Sequence, residues 1–148
     1  MVMKFPIGIQ SFESLRSEGF VYVDKTALVK KLVSEGKCYF LSRPRRFGKS
    51  LLMSTIEAYF KGKKHLFEGL AMAELETEWK EHPVLHLDLN AKPYTKLQDL
   101  YDLLDDQLTY YERQYDSIAT DKSPEGRFRQ LIRSAKQKTG RGAVVLVD

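Results

Sequence analysis

One short stretch of the chain concentrates residue types that could hold a phosphate. Between Arg43 and Lys49 stand four cations, Arg43, Arg45, Arg46 and Lys49, with no acid among them. The whole chain has 24 Lys and Arg against 20 Asp and Glu, so these four account for the entire formal excess of +4. The run closes on Gly48-Lys49-Ser50. Each of those three residues has a chemical use. Glycine lets the backbone approach a phosphate closely. The N–H groups of such a loop, and of a helix that starts there, converge on anionic oxygens. The Lys49 ammonium can sit on the outer phosphates, and the Ser50 hydroxyl can ligate a Mg²⁺ that bridges them. The plainer alternative is a solvated basic loop. The tripeptide, and the change of hydrophobic pattern across it, favour the phosphate site.

A phosphate loop needs a strand before it and a helix after it. Cys38-Tyr39-Phe40-Leu41 is a short apolar run between turn signals, read as a buried strand. Ser42 to Gly48 is then a loop containing Pro44. A helix opens at Ser50 and runs to about Phe60, with Leu52, Ile56, Tyr59 and Phe60 on one side and Gly62 as its stop. This is the Walker A context. The general pattern G-x-x-x-x-G-K-S/T asks for glycine at position 43, where this chain has arginine. The complementary half lies at the other end. Ala143-Val144-Val145-Leu146-Val147 reads as a fully buried strand that ends in Asp148. As a Walker B strand it would aim that carboxylate at the magnesium ion. Alone, it would be a core strand that happens to end in an aspartate.

Other elements follow from periodicity and punctuation. Phe20-Val21-Tyr22-Val23 fits a short strand. Asp24 reads as an N-cap, followed by a helix of about ten residues with Leu28, Leu32, Val29 and Val33 at i, i+4 spacing and Gly36 as its stop. Residues 63 to 82 suggest short helical pieces around Gly69. Val84-Leu85-His86-Leu87-Asp88 is another strand. The clearest helix has the stripe Leu97, Leu100, Leu104, Leu108, Tyr111 and Tyr115, with Asp99, Asp102, Asp105, Asp106 and Glu112 as a solvated face. Ser123-Pro124 is an N-cap with proline at the first helical position, and Phe128, Leu131, Ile132 and Ala135 carry that helix to Gly140. Strands without alternation, separated by helices, indicate an α/β chain with a mostly parallel sheet covered on both faces.

Composition excludes several classes. At 148 residues, 43% hydrophobic and 30% charged, the chain is of ordinary globular make-up, with one core as the default. One cysteine excludes an internal disulfide framework and a multi-cysteine zinc site. Cys38 reads as a small buried hydrophobe. His82 and His86 are four apart, but Pro83 and the strand pattern keep them off a common helical face, so no metal site is expected there. No apolar run is long enough to cross a bilayer, and the N-terminus lacks a signal peptide's apolar core. A cytoplasmic protein without a membrane partner is the expectation.

The segment Phe40-Leu41-Ser42-Arg43-Pro44-Arg45-Arg46-Phe47-Gly48-Lys49-Ser50-Leu51-Leu52 closely resembles the AAA-ATPase-like family, a bacterial and archaeal P-loop group. Pro6-Ile7-Gly8 with Phe12, Tyr22-Val23-Asp24-Lys25-Thr26, Tyr59-Phe60-Lys61-Gly62, Leu66-Phe67-Glu68-Gly69-Leu70 and Pro83-Val84-Leu85-His86-Leu87-Asp88 are similar to its flanking segments. The resemblance is strong over residues 5–90, supported again at 143–148, and loose between. Arginine at position 43 belongs to that family's pattern. The resemblance implies a P-loop NTPase-like three-layer α/β/α fold, with residues 1–148 as its N-terminal part. It implies ATP and Mg²⁺ as ligands, with Arg43, Arg45, Arg46, Phe47, Gly48, Lys49, Ser50 and Leu51 around the nucleotide. Ser50 and Asp148 would hold the metal, and Lys49 and Asp148 would carry the chemistry. Family members continue past this aspartate with Glu-Tyr-Asp, complete the ATPase, and often carry a nuclease-like domain of the PD-(D/E)XK type, a route to nucleic acid. Ending at Asp148, this chain is expected to have an incomplete sheet, with a poorly closed core, a rearranged sheet or a homodimer formed across an exposed sheet edge, and to bind nucleotide better than it hydrolyses it. The rival readings are a nucleic-acid-binding module that grips phosphates through the arginines, a non-catalytic P-loop scaffold, and, more remotely, a small-molecule kinase.

Overall fold

The computed structural model describes residues 4–44, 46–93 and 95–148, which leaves residues 1–3, Arg45 and Tyr94 outside the described residues. The chain divides into two compact units, Met1–Glu81 and His82–Asp148. It mixes helices with a small parallel sheet, in keeping with the α/β class.

The first unit is helical. Its elements are α1 (Phe12–Ser17), α2 (Thr26–Glu35), α3 (Lys49–Phe60), a 3₁₀ turn at Lys64–Phe67, and α4 (Ala71–Leu75). Phe12, Leu15, Phe67 and Met72 are almost wholly buried. Phe12 and Phe67 pack ring to ring at 4.9 Å, and Trp79 closes on Phe67 at 5.1 Å. Asp24 ties the unit together. Its Oδ1 accepts from the Thr26 backbone N–H and hydroxyl, and its Oδ2 accepts from the N–H of Ala71, the first residue of α4. The buried Thr26 hydroxyl in turn accepts from the Met72 N–H at 3.0 Å. One aspartate therefore serves the starts of two helices. Partial burial works against its charge, but the Thr26 and Ala71 bonds prevail and hold its carboxyl below the usual carboxylate range. A second clamp centres on Glu76, which accepts from Lys30 of α2 and Tyr59 of α3.

Two expected strands do not form here. Phe20 makes only an isolated bridge with Lys4, and Val21–Val23 are irregular. Cys38–Leu41 is irregular as well. Tyr39 explains part of this: its hydroxyl donates to the carbonyl of Leu32 in the last turns of α2, which turns the chain back over Gly36. Phe40 is 93% exposed, and Cys38 is exposed rather than buried.

The second unit contains β1 (Val84–Leu87), α5 (Leu97–Gln114), α6 (Pro124–Thr139) and β2 (Val144–Val147). β1 and β2 pair in parallel, with Val84 opposite Val144 and Leu87 opposite Val147. The core joins Leu85, Leu108, Tyr115, Leu131 and Ala135. α6 follows its sequence signals closely. The Ser123 hydroxyl accepts from the Gly126 N–H, Pro124 is the first helical residue, and Gly140 ends the helix with φ 70°. The expected α5 stripe holds at Leu108, Tyr111 and Tyr115, but Leu97 is 68% exposed and Leu103, outside the stripe, is buried. Nor is the acidic face simply solvated. Arg127 of α6 bonds Glu112, Asp105 and Thr109 of α5. β2 is not fully buried: Leu146 points into the core, and Val145 and Val147 point out. This is the alternation of a strand covered on one face.

α5 also closes one sheet edge. The Tyr111 hydroxyl accepts from the His86 N–H and donates to the His86 carbonyl. The Gln107 amide does the same for the N–H and carbonyl of Asp88. These groups lie on the side of β1 away from β2, where side chains take the place of a further strand. Among the described residues, no helix is long and apolar enough to cross a membrane.

Candidate functional site

The basic loop runs from Ser42 into α3 in the first unit. Two of its residues have left-handed backbone: Arg46 at φ 65° and Gly48 at φ 74°, ψ 25°. A Cβ on Gly48 would meet no atom within 4 Å, so conformation, and not space, calls for glycine there. Gly48 is the N-cap of α3 and offers no side chain, and no side-chain cap bond forms. Among the described residues, no side-chain cap bond covers the first N–H groups of this 12-residue helix. They carry the partial positive charge of the helix end.

Lys49, the first residue of α3, turns back across the loop. Its Nζ donates to the carbonyl of Arg43 at 2.7 Å. The ammonium so held is a point charge inside the turn, beside the helix start. Lys49, Ser50 and Leu51 are half-buried, and Arg43, Arg46 and Phe47 are exposed. Seven of the eight residues expected around a nucleotide thus lie close along the chain at 43 and 46–51, and the eighth, Arg45, is outside the described residues.

Asp148 belongs to the second unit. It prolongs the parallel ladder: its N–H donates to the Leu87 carbonyl, and its carbonyl accepts from the Leu89 N–H. Asp148 thereby stands opposite Asp88, and the C-terminal ends of two adjacent parallel strands each present an aspartate. Open α/β sheets place their ligands at such strand ends. Sequence reasoning singled out Asp148 and passed over Asp88. The signal was available, because both apolar runs end in aspartate. Asp88 Oδ1 accepts from the Asn90 N–H and so shapes the turn after β1. Among the described residues, no group of three or more His, Cys, Asp or Glu is arranged to hold a metal ion.

Comparison with known proteins fits this pattern. A family model described as Predicted AAA-ATPase matches residues 6–148. The chain belongs to the AAA-ATPase-like family. A protein of Azotobacter chroococcum mcd 1, described as "Uncharacterized protein in vnfD 5'region", is 40% identical over 146 residues. That match covers 98% of this chain and 28% of the relative, so the chain spans little more than a quarter of that protein's length. No solved structure matches. The AAA-ATPase-like match takes in the basic loop, the Asp24 clamp and both strand-end aspartates.

Proposed function

We propose that this chain is the nucleotide-binding part of an AAA-ATPase-like protein with a P-loop NTPase-like α/β fold, and that residues 43–51 cradle the phosphates of Mg²⁺-ATP. The observation that carries this reading is the start of α3. A left-handed glycine leaves the helix N-terminus uncapped, and Lys49 hangs its ammonium on the Arg43 carbonyl beside it. A phosphate supplies what that arrangement lacks, which is acceptors for the N–H groups and a counter-charge for Lys49.

The residues present fit the ligand. In this reading the N–H groups of Lys49, Ser50 and Leu51 bind phosphate oxygens. Lys49 exchanges a neutral carbonyl for an anionic oxygen, a stronger acceptor. Arg43 and Arg46 are exposed and free to swing onto the outer phosphates, and Gly48 keeps the backbone close. Ser50 would hold the metal from the loop side. Bound magnesium would supply positive charge that neutralises the outer phosphates. Coupling of nucleotide turnover to a further domain belongs to the longer protein and is part of the same proposal.

The test is calorimetric titration of Mg²⁺-ATP into the chain and into Lys49→Ala at moderate salt. Saturable binding that weakens at least about tenfold in the variant, the loss of one charge-assisted contact, supports the reading. Equal binding by both chains, or none by the folded parent, overturns it.

A further inference from the structure

The outer flank of α6 carries a row of cations that the fold does not use. Arg129, Arg133 and Lys136 stand at i, i+4 and i+7, so they share one side of the helix. All three are exposed. Other basic residues of this helix are already committed. Arg127 is held by Asp105 and Glu112, and Lys138 is held by Asp116. None of Arg129, Arg133 and Lys136 has an acid within ion-pair distance among the described residues. Asp121, ahead of the helix, feels Arg129 only at longer range. The unit as a whole is not basic, so the row is not a by-product of composition: its acids gather on α5.

We propose that this flank of α6 is a docking strip for the phosphate backbone of a nucleic-acid duplex. The row spans about 10 Å along the axis, with steps of about 6 Å and 4.5 Å. Three cations at that pitch suit a partner whose charges recur every few ångströms. A duplex strand presents a phosphate about every 3.4 Å of axis. A bilayer is the poorer fit, because an interfacial helix inserts an apolar face. The apolar face of α6 is turned to the core, with Leu131 and Ala135 buried and Phe128 and Ile132 packed against them. An acidic protein surface is also poorer, since stable protein interfaces centre on buried aromatic or apolar anchors and the strip has none. Contact through charge alone predicts binding without sequence preference and with a salt dependence set by the number of phosphates engaged. Three contacts give a log–log slope of about −2.7, which is about a fortyfold loss between about 50 and about 200 mM salt.

The experiment measures fluorescence anisotropy of a short labelled DNA duplex with the whole chain over that salt range. Variants are Arg129→Gln/Arg133→Gln/Lys136→Gln and, separately, Arg43→Gln/Arg46→Gln. The expected result is a slope near −2.7 in the parent and in the loop variant, with binding weakened at least tenfold in the α6 variant. Far-UV circular dichroism checks that the α6 variant is folded, and the single reversal Arg133→Glu gives the same readout with less disturbance. Absent duplex binding, binding unchanged by the α6 substitutions, binding lost only in the loop variant, or preference for phosphatidylserine vesicles over duplex would each overturn the proposal. The outcome is independent of Mg²⁺-ATP binding, which the α6 variant should retain.

Discussion

The edge of β1 and the start of α3 treat their backbone polar groups in opposite ways. Along β1, the groups turned away from β2 are answered by side chains: Tyr111 takes both from His86, and Gln107 takes both from Asp88. At α3 the N-cap is a glycine in left-handed conformation, no side-chain cap bond forms among the described residues, and the Lys49 ammonium rests on a carbonyl. The first region is finished by the chain itself. In the proposed reading, the second is finished by a phosphate that brings acceptors and negative charge. The difference sets scaffold apart from the proposed phosphate site, and it makes distinct demands on mutation.

The largest stability effect should come from the second unit's core. Leu131 is fully buried, so Leu131→Ala should cost about 3 kcal/mol in urea denaturation of the chain. A cost below about 1 kcal/mol would mean that this core is loose. Next is the β1 edge. Tyr111→Phe keeps the ring and removes the hydroxyl that serves both His86 groups, and should cost about 1.5 kcal/mol. No cost would show that water or another group replaces it.

The Glu76 clamp gives a pH-dependent counterpart. Burial disfavours its charge, but the hydrogen bonds from Lys30 and Tyr59 outweigh that and hold the carboxyl down to about 2, from an ordinary 4.5. A depressed folded value stabilises the fold above the unfolded value. The contribution is therefore complete above about pH 4.5 and is lost as pH falls toward 2. Glu76→Gln should flatten the acid limb of a stability–pH profile within that window. An unchanged limb would remove the clamp from the account.

The smallest stability effects belong to the loop. Lys49→Ala should shift stability by less than about 0.5 kcal/mol, because its bond is on the surface. Gly48→Ala should cost about 1 kcal/mol through the left-handed backbone alone. A large cost at Lys49 would make it a structural residue and erase the contrast with β1.

Much of this contrast was legible in the sequence, for local reasons. The Ser123-Pro124 start, the Gly140 stop and the helix expected from Ser50 depend on residues close in the chain; the first two stand where their cap chemistry placed them, and the third begins one residue earlier, at Lys49. The loop's charge and its Gly48-Lys49-Ser50 core are equally local. Non-local features were less visible. Cys38–Leu41 has the composition of a strand, yet Tyr39 reaches the end of α2 and the segment stays irregular. Val144–Val147 looks uniformly apolar, but only Leu146 is buried. The α5 acids were read as solvated because their partner Arg127 lies on another helix, beyond the reach of periodicity. Asp88 was passed over because its place beside Asp148 depends on strand register, which no single run encodes.

The central claim is that the loop and the first turn of α3 are a phosphate cradle. Backbone amide chemical shifts of the isotopically labelled chain, followed as Mg²⁺-ATP is added, test it most directly. The account predicts the largest shifts at Arg46 to Leu51, with Lys49 and Ser50 foremost, and their collapse in Lys49→Ala. Shifts that leave those amides unmoved while others respond, or no response in a well-folded chain, would contradict it.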